Sequence, residues 1–197
     1  MRIFGIDPGS ERTGYGCVET DGRRHRLVVC GAITAPAADP FPQRLARIHR
    51  ELAALLTTCR PDSVAIENVF HSNNARSALK LGHARGVAML AAVEAGCVVV
   101  EYTPAEIKRA VVGYGRAEKH QVQQMIKLLL GLDEPPSPHD AADALAVAIC
   151  HLHSMPPSGL KAVPATDVGA DRLRSASASR LRGAPKSWRQ YRPPTLG

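Results

Sequence analysis

The hydrophobic period of this chain changes near Pro42, and that change sharply limits the folds open to it. Before Pro42, apolar residues come in short runs separated by glycine and polar residues. Residues 2–7 (RIFGID) form the first run and end on Asp7. Gly9, Gly14 and Gly16 then punctuate a tight turn into a second strand near residues 14–19. Residues 26–34 (RLVVCGAIT) read as a third strand. Three strands in quick succession predict an antiparallel meander. After Pro42 the apolar positions Leu45, Ile48, Leu52, Leu55 and Leu56 recur at helical spacing as far as Cys59. Pro61 closes that helix, and residues 62–67 (DSVAIE) read as a buried strand ending on Glu67. The pattern predicts a long helix over 74–95, stopped by Gly96, and a strand over 98–102. Thr103-Pro104 is a helix start, a capping residue followed by proline at the first helical position. Further helices are predicted over 104–112, 118–130 and 139–153.

Three strands followed by alternating helices and strands predict an α/β chain. The expected architecture is a mixed five-stranded sheet with helices on both faces, as in a ribonuclease H-like fold. With 197 residues, 45% of them apolar, the chain can bury the core of one such domain. We place that domain at residues 1–155. From Pro156 the text turns to Pro, Ser, Ala, Gly and Arg without hydrophobic periodicity, so 156–197 reads as a disordered, low-complexity tail. The tail has eight Lys and Arg against Asp167 and Asp171, which is +6 of the +7 total charge. It reads equally as a solvated extension or as a DNA-binding segment. The five cysteines are odd in number and widely spaced, with no CxxC pair, which predicts reduced buried thiols. No apolar run approaches the roughly 18 residues of a membrane helix. The opening MRIF is too short for an export signal. The chain therefore reads as soluble and cytoplasmic.

Four carboxylates stand where a metal site could form. Asp7 and Glu67 each end an apolar run, where a charge must be solvated, paired or bound to metal. Asp140 and Asp143 lie in HDAADALAVAIC, and a separation of three puts their side chains about 60° apart on one helical face. Each acid alone has an ordinary reading. Asp7 could cap a turn before Pro8, Glu67 could be an edge charge, and Asp140 could complement the helix dipole. Asp143 is harder to place that way, because it lies deeper in an apolar helix. Together they suit phosphodiester hydrolysis, in which two magnesium ions about 4 Å apart activate water and stabilise the leaving oxygen.

The segments GIDPGSERTGYG, AIENVF, NARSALKLGHARGVA, VVGYGRAEKHQVQ and DAADALAVAI resemble the signature blocks of the bacterial RuvC resolvases, in the family's order across residues 1–153. The resemblance implies a ribonuclease H-like fold and a homodimer that nicks opposite strands of a Holliday junction, a four-way DNA junction. It matches the family's acids to Asp7, Glu67, Asp140 and Asp143, as holders of two Mg2+ ions, with Mn2+ able to substitute. Some relatives carry histidine at the position of Asp140. His139 therefore has three readings: support behind the ligands, proton carrier, or simply the start of its helix.

The same resemblance matches Phe70 to an aromatic near the junction centre, where it would stack on an unpaired base. A core role flanking the strand stays open. Lys108 and Lys119 match lysines near the active site and DNA, against a plain reading as solvated helix faces. Arg76, Lys80 and Arg85 form a weak basic track on the long helix, which is also an expected dimer surface. The RuvA–RuvB branch-migration complex is an implied partner. Competing functions are a non-catalytic junction-binding protein and a ribonuclease H-like nuclease with another substrate. The glycine turn after Asp7 also resembles the phosphate loop of actin-like ATPases, but the chain is too short for their second domain.

Overall fold

The structure, a computed structural model, describes residues 1–68 and 74–155. Phe70 and the 156–197 segment lie outside the described residues. Strands β1 (Arg2–Asp7), β2 (Arg12–Thr20) and β3 (His25–Thr34) form the antiparallel meander. Helix α1 (Phe41–Cys59), strand β4 (Ser63–Glu67), helix α2 (Ala75–Glu94) and strand β5 (Val98–Tyr102) follow. Helices α3 (Pro104–Val112), α4 (Lys119–Leu130) and α5 (His139–Ser154) complete the described chain. The strands make one sheet in the order β3-β2-β1-β4-β5, with β4 parallel to both β1 and β5. The expected mixed five-stranded sheet is present.

Strand alternation divides the core between the two faces of this sheet. Phe4, Ile6, Cys17, Ile33, Val64 and Ile66 point to one face. There they meet Ile48, Leu52 and Leu56 of α1 and a row of alanines on α2. Burying each such branched side chain contributes about 1.5–3 kcal/mol. Ile3, Val18 and Ala65 point to the other face, against α3, α4 and α5. The cysteines are all free, and burial pushes the Cys17 thiol up to about 12, which leaves it inert.

Two glycines do something other than what the sequence pattern suggests. Gly14 and Gly16 lie inside β2, which begins at Arg12, two residues before the expected start, and they serve the packing of α5. A Cβ on Gly14 would stand 2.0 Å from the backbone oxygen of Asp140, and one on Gly16 would stand 2.6 Å from Leu145 Cδ2. Gly5 of β1 meets the Ala144 oxygen in the same way, at 2.0 Å. These glycines, with the alanines of α5, let that helix rest directly on the sheet backbone. A buried polar network ties it down further along. His151 of α5 bonds the Ser63 hydroxyl of β4 at 2.9 Å and the Tyr102 hydroxyl of β5 at 2.7 Å. Burial lowers the His151 pKa, which favours the neutral ring.

Candidate active site

The packing of α5 brings the four acids to one place. Along β1, Ile3 and Gly5 face α5 while Phe4 and Ile6 face away, so Asp7 follows the α5 side. Along β4, Ser63 and Ala65 face α5, so Glu67 follows too. Ile6 pairs with Ile66 in parallel register, which sets Asp7 and Glu67 side by side at the carboxyl ends of adjacent strands. On its other flank Asp7 pairs with Gly14, the residue directly beneath the backbone of Asp140. The start of α5 thus carries Asp140, in its first turn, and Asp143, just beyond it, over the same strand ends.

Electrostatics records this crowding. Burial, and then the negative charge of Glu67, push the Asp7 carboxyl up to about 9. The Asp7–Glu67 hydrogen bond and the charges of Asp143 and Asp140 act in the same direction. Glu67 is also raised, mainly by burial, although its hydrogen bond from Asp7 and the charges of Lys119 and Lys108 oppose the shift. Burial and mutual repulsion thus favour one proton kept between Asp7 and Glu67. Lys119, at the start of α4, holds Asp143 with Nζ 2.5 Å from Oδ2. Burial favours the neutral amine of Lys119, but its bond to Asp143 and the surrounding acids outweigh that and raise its pKa. Beside them opens a cleft of about 190 Å³ lined by Glu67, Asp143, Lys108, Lys119, Pro104 and Val122.

Asp140 is held from the opposite side by Arg12, with Nε 3.0 Å from Oδ2. Sequence reasoning passed over Arg12. Its signal was its place in the block that carries Asp7, on a hairpin that must return beside it. His139 does not turn to the acids. Its Nδ1 lies 2.6 Å from the side-chain amide of Gln123, so it joins the start of α5 to α4. The basic track on α2 also stays apart from the acids. Lys80 lies over the Phe41 ring at 5.9 Å, and Arg85 is ion-paired with Glu101 of β5. Arg76 is exposed at the start of α2, where its backbone N–H donates to Asn74.

Among the described residues, no three His, Cys, Asp or Glu side chains form a ready metal cage. Each α5 acid is turned to a cation, and Asp7 and Glu67 share a proton. The donor chemistry nevertheless fits a hard divalent ion. All four groups are oxygen donors, and burial and the neighbouring carboxylates raise Asp7 and Glu67, an environment that a hard cation would relieve.

A mixed sheet of this order, with acids gathered at its strand ends and on the helix crossing them, defines a nuclease-type ribonuclease H-like domain. Comparison with known proteins narrows the class. The profile of the RuvC family, described as crossover junction endodeoxyribonuclease RuvC, matches residues 3–151. The chain belongs to the RuvC family. It is 56% identical over 155 residues to the crossover junction endodeoxyribonuclease RuvC of Koribacter versatilis, covering 78% of this chain and 93% of that one. A structure of Thermus thermophilus RuvC superposes with a TM-score of 0.73 at 37% identity, over 78% of this chain and 94% of that one. The Thermus thermophilus RuvC in complex with a Holliday junction substrate superposes with a TM-score of 0.72 at 35% identity, with the same coverage.

Proposed function

We propose that this chain resolves Holliday junctions by metal-dependent nicks in opposite strands, and that Asp7, Glu67, Asp140 and Asp143 form its active site. The observation that carries the assignment is the meeting of these four carboxylates from β1, β4 and α5 at one end of the sheet. They would hold two Mg2+ ions per subunit, or Mn2+ in their place. Bound there, the ions would supply an activated water and charge stabilisation for the leaving oxygen.

The chain's own groups account for the rest. Lys119 and Lys108, beside the cleft, attract and align the scissile phosphate and offset charge that develops on it. The apolar walls at Pro104, Ile107 and Val122 exclude bulk water on that side, which strengthens these interactions. Phe70, three positions after Glu67 in the sequence, stacks on a base at the crossover. The domain occupies residues 1–155.

Opposite strands require two sites related by a two-fold axis, and hence a homodimer. Support for it lies on α2. Leu79, Leu90 and Val93 are 65%, 51% and 63% exposed on that helix. Gly82 and Gly86 lie between them, with open space where a Cβ would stand. Such a stripe permits close helix approach. We place the protein in the cytoplasm, with RuvA–RuvB as a partner. Among the described residues no helix is long and apolar enough to cross a membrane.

The test is a synthetic mobile four-way junction, labelled on each strand in turn, with Mg2+, Mn2+ or chelator. Symmetric, metal-dependent nicks in the junction, absent from linear duplex and from an RNA–DNA hybrid, are expected. Tight binding with no cutting in either metal would replace the assignment with a junction-binding role. Cutting of the hybrid alone would change the substrate.

A further inference from the structure

Arg12 stands in an unusual position for a surface arginine. Its backbone opens β2, at the end of a turn that is held from several sides. The buried Arg44 of α1 donates to the Ser10 carbonyl, and the Ala35 N–H donates to the Glu11 carbonyl at 2.8 Å. The Thr13 hydroxyl donates to the Gly9 carbonyl at 2.8 Å, and a Cβ at Gly9 would meet the Arg12 oxygen at 2.0 Å. The Arg12 side chain, by contrast, is half exposed and reaches across to Asp140. A fixed base and a solvent-facing guanidinium allow the group to swing without moving the turn. Its present partner is one of the four acids, and a bound divalent ion would compete with it for the same oxygens.

We propose that Arg12 is an exchangeable counter-ion of the active site. Without a divalent ion it neutralises Asp140. When the ion arrives, Asp140 turns to it and Arg12 is released to a backbone phosphate of the bound DNA. One guanidinium thereby opposes ion binding in the free protein and supports DNA binding in the loaded one. The exchange is not a property of Lys119 alone, because Lys119 holds the other α5 acid from a different element. The proposal rests on the carboxylate site assigned above.

The test measures Mn2+ binding to the full-length protein without DNA, by electron paramagnetic resonance of free Mn2+, for wild type, R12Q, R12K and D140N. Exposed ion pairs are weak, so removing this competitor should tighten Mn2+ binding about two- to five-fold in R12Q. R12K should stay near wild type. Junction affinity, measured with Ca2+ as the divalent ion, should fall in R12Q, and the slope of log affinity against log salt should flatten by about 0.9. A merely structural arginine would weaken Mn2+ binding on removal, so unchanged or weaker binding in R12Q overturns the exchange. An unchanged salt slope overturns the release to phosphate. If D140N binds Mn2+ as wild type does, the carboxylate site itself is wrong and the proposal falls with it. If D140N weakens binding while R12Q does not tighten it, only the exchange fails.

Discussion

Replacing Asp7 with asparagine should stabilise the metal-free protein, against the usual expectation for a buried site residue. Asp7 is raised from 3.8 to about 9, chiefly by burial and by Glu67. At neutral pH the folded state therefore keeps a proton that the unfolded chain releases. The folded state binds more protons across this window, so stability falls as pH rises from about 4 to about 9. At pH 7 the shift corresponds to roughly 4 kcal/mol, from three pH units above the unfolded value at about 1.4 kcal/mol each. Water reaching the open cleft screens part of this, and about 2 kcal/mol is the expected gain. Asparagine is neutral at every pH, and its amide can donate to Glu67 where the Asp7 proton did. Chemical denaturation in chelator should show D7N about 2 kcal/mol more stable than wild type at pH 7, and less than about 1 kcal/mol more stable at pH 5. Saturating Mg2+ at a hundred times its Kd should stabilise wild type by about 2.7 kcal/mol and D7N by much less. A D7N protein no more stable than wild type at pH 7, or a gap that ignores pH, would refute the crowded-carboxylate account.

Asp143→Asn should bind the junction but cut it more than about 100-fold slower, because loss of a ligand exceeds the cost of disturbing a supporting residue. Single-turnover cutting beside a gel-shift titration separates the two effects. Gly14→Ala forces a methyl against the Asp140 backbone, 2.0 Å from its oxygen. It should cost about 1–3 kcal/mol in thermal unfolding and lose cutting with it. His151 has a lowered pKa from burial, so its contribution to stability is full above pH 6.5 and is lost as pH falls below that value. His151→Gln should therefore flatten the acid limb of the stability profile, and an unchanged limb would count against the buried network. Leu79→Asp on the exposed stripe of α2 should shift sedimentation at micromolar concentration toward monomer.

Much of the architecture was legible in order and period alone. The apolar runs ending on Asp7 and Glu67, the helical spacing after Pro42 and the Thr103-Pro104 start all report local preferences, and local preferences are written in neighbouring residues. The α3 start even gained a reciprocal Thr103–Glu106 cap that follows the same local logic. The four acids were also visible, as charges ending or interrupting apolar text.

Tertiary structure decided what those residues meet. Gly14 and Gly16 read as punctuation at the start of the second strand, yet what they do there is admit α5, because a close approach depends on a helix more than a hundred positions away. Arg12 found its partner, Asp140, across a similar distance, and His139 turned to Gln123 of the neighbouring helix. Arg85 looked like part of a basic track, but β5 supplies Glu101 to pair with it. Above all, the pairing of Ile6 with Ile66 determines that Asp7 and Glu67 lie side by side and on the α5 face. A shift of one residue would send Glu67 to the opposite face, since side chains alternate along a strand. The sequence by itself determined which groups could do the chemistry. Only strand register and the seating of α5 brought them together, because register and packing are set by the core as a whole.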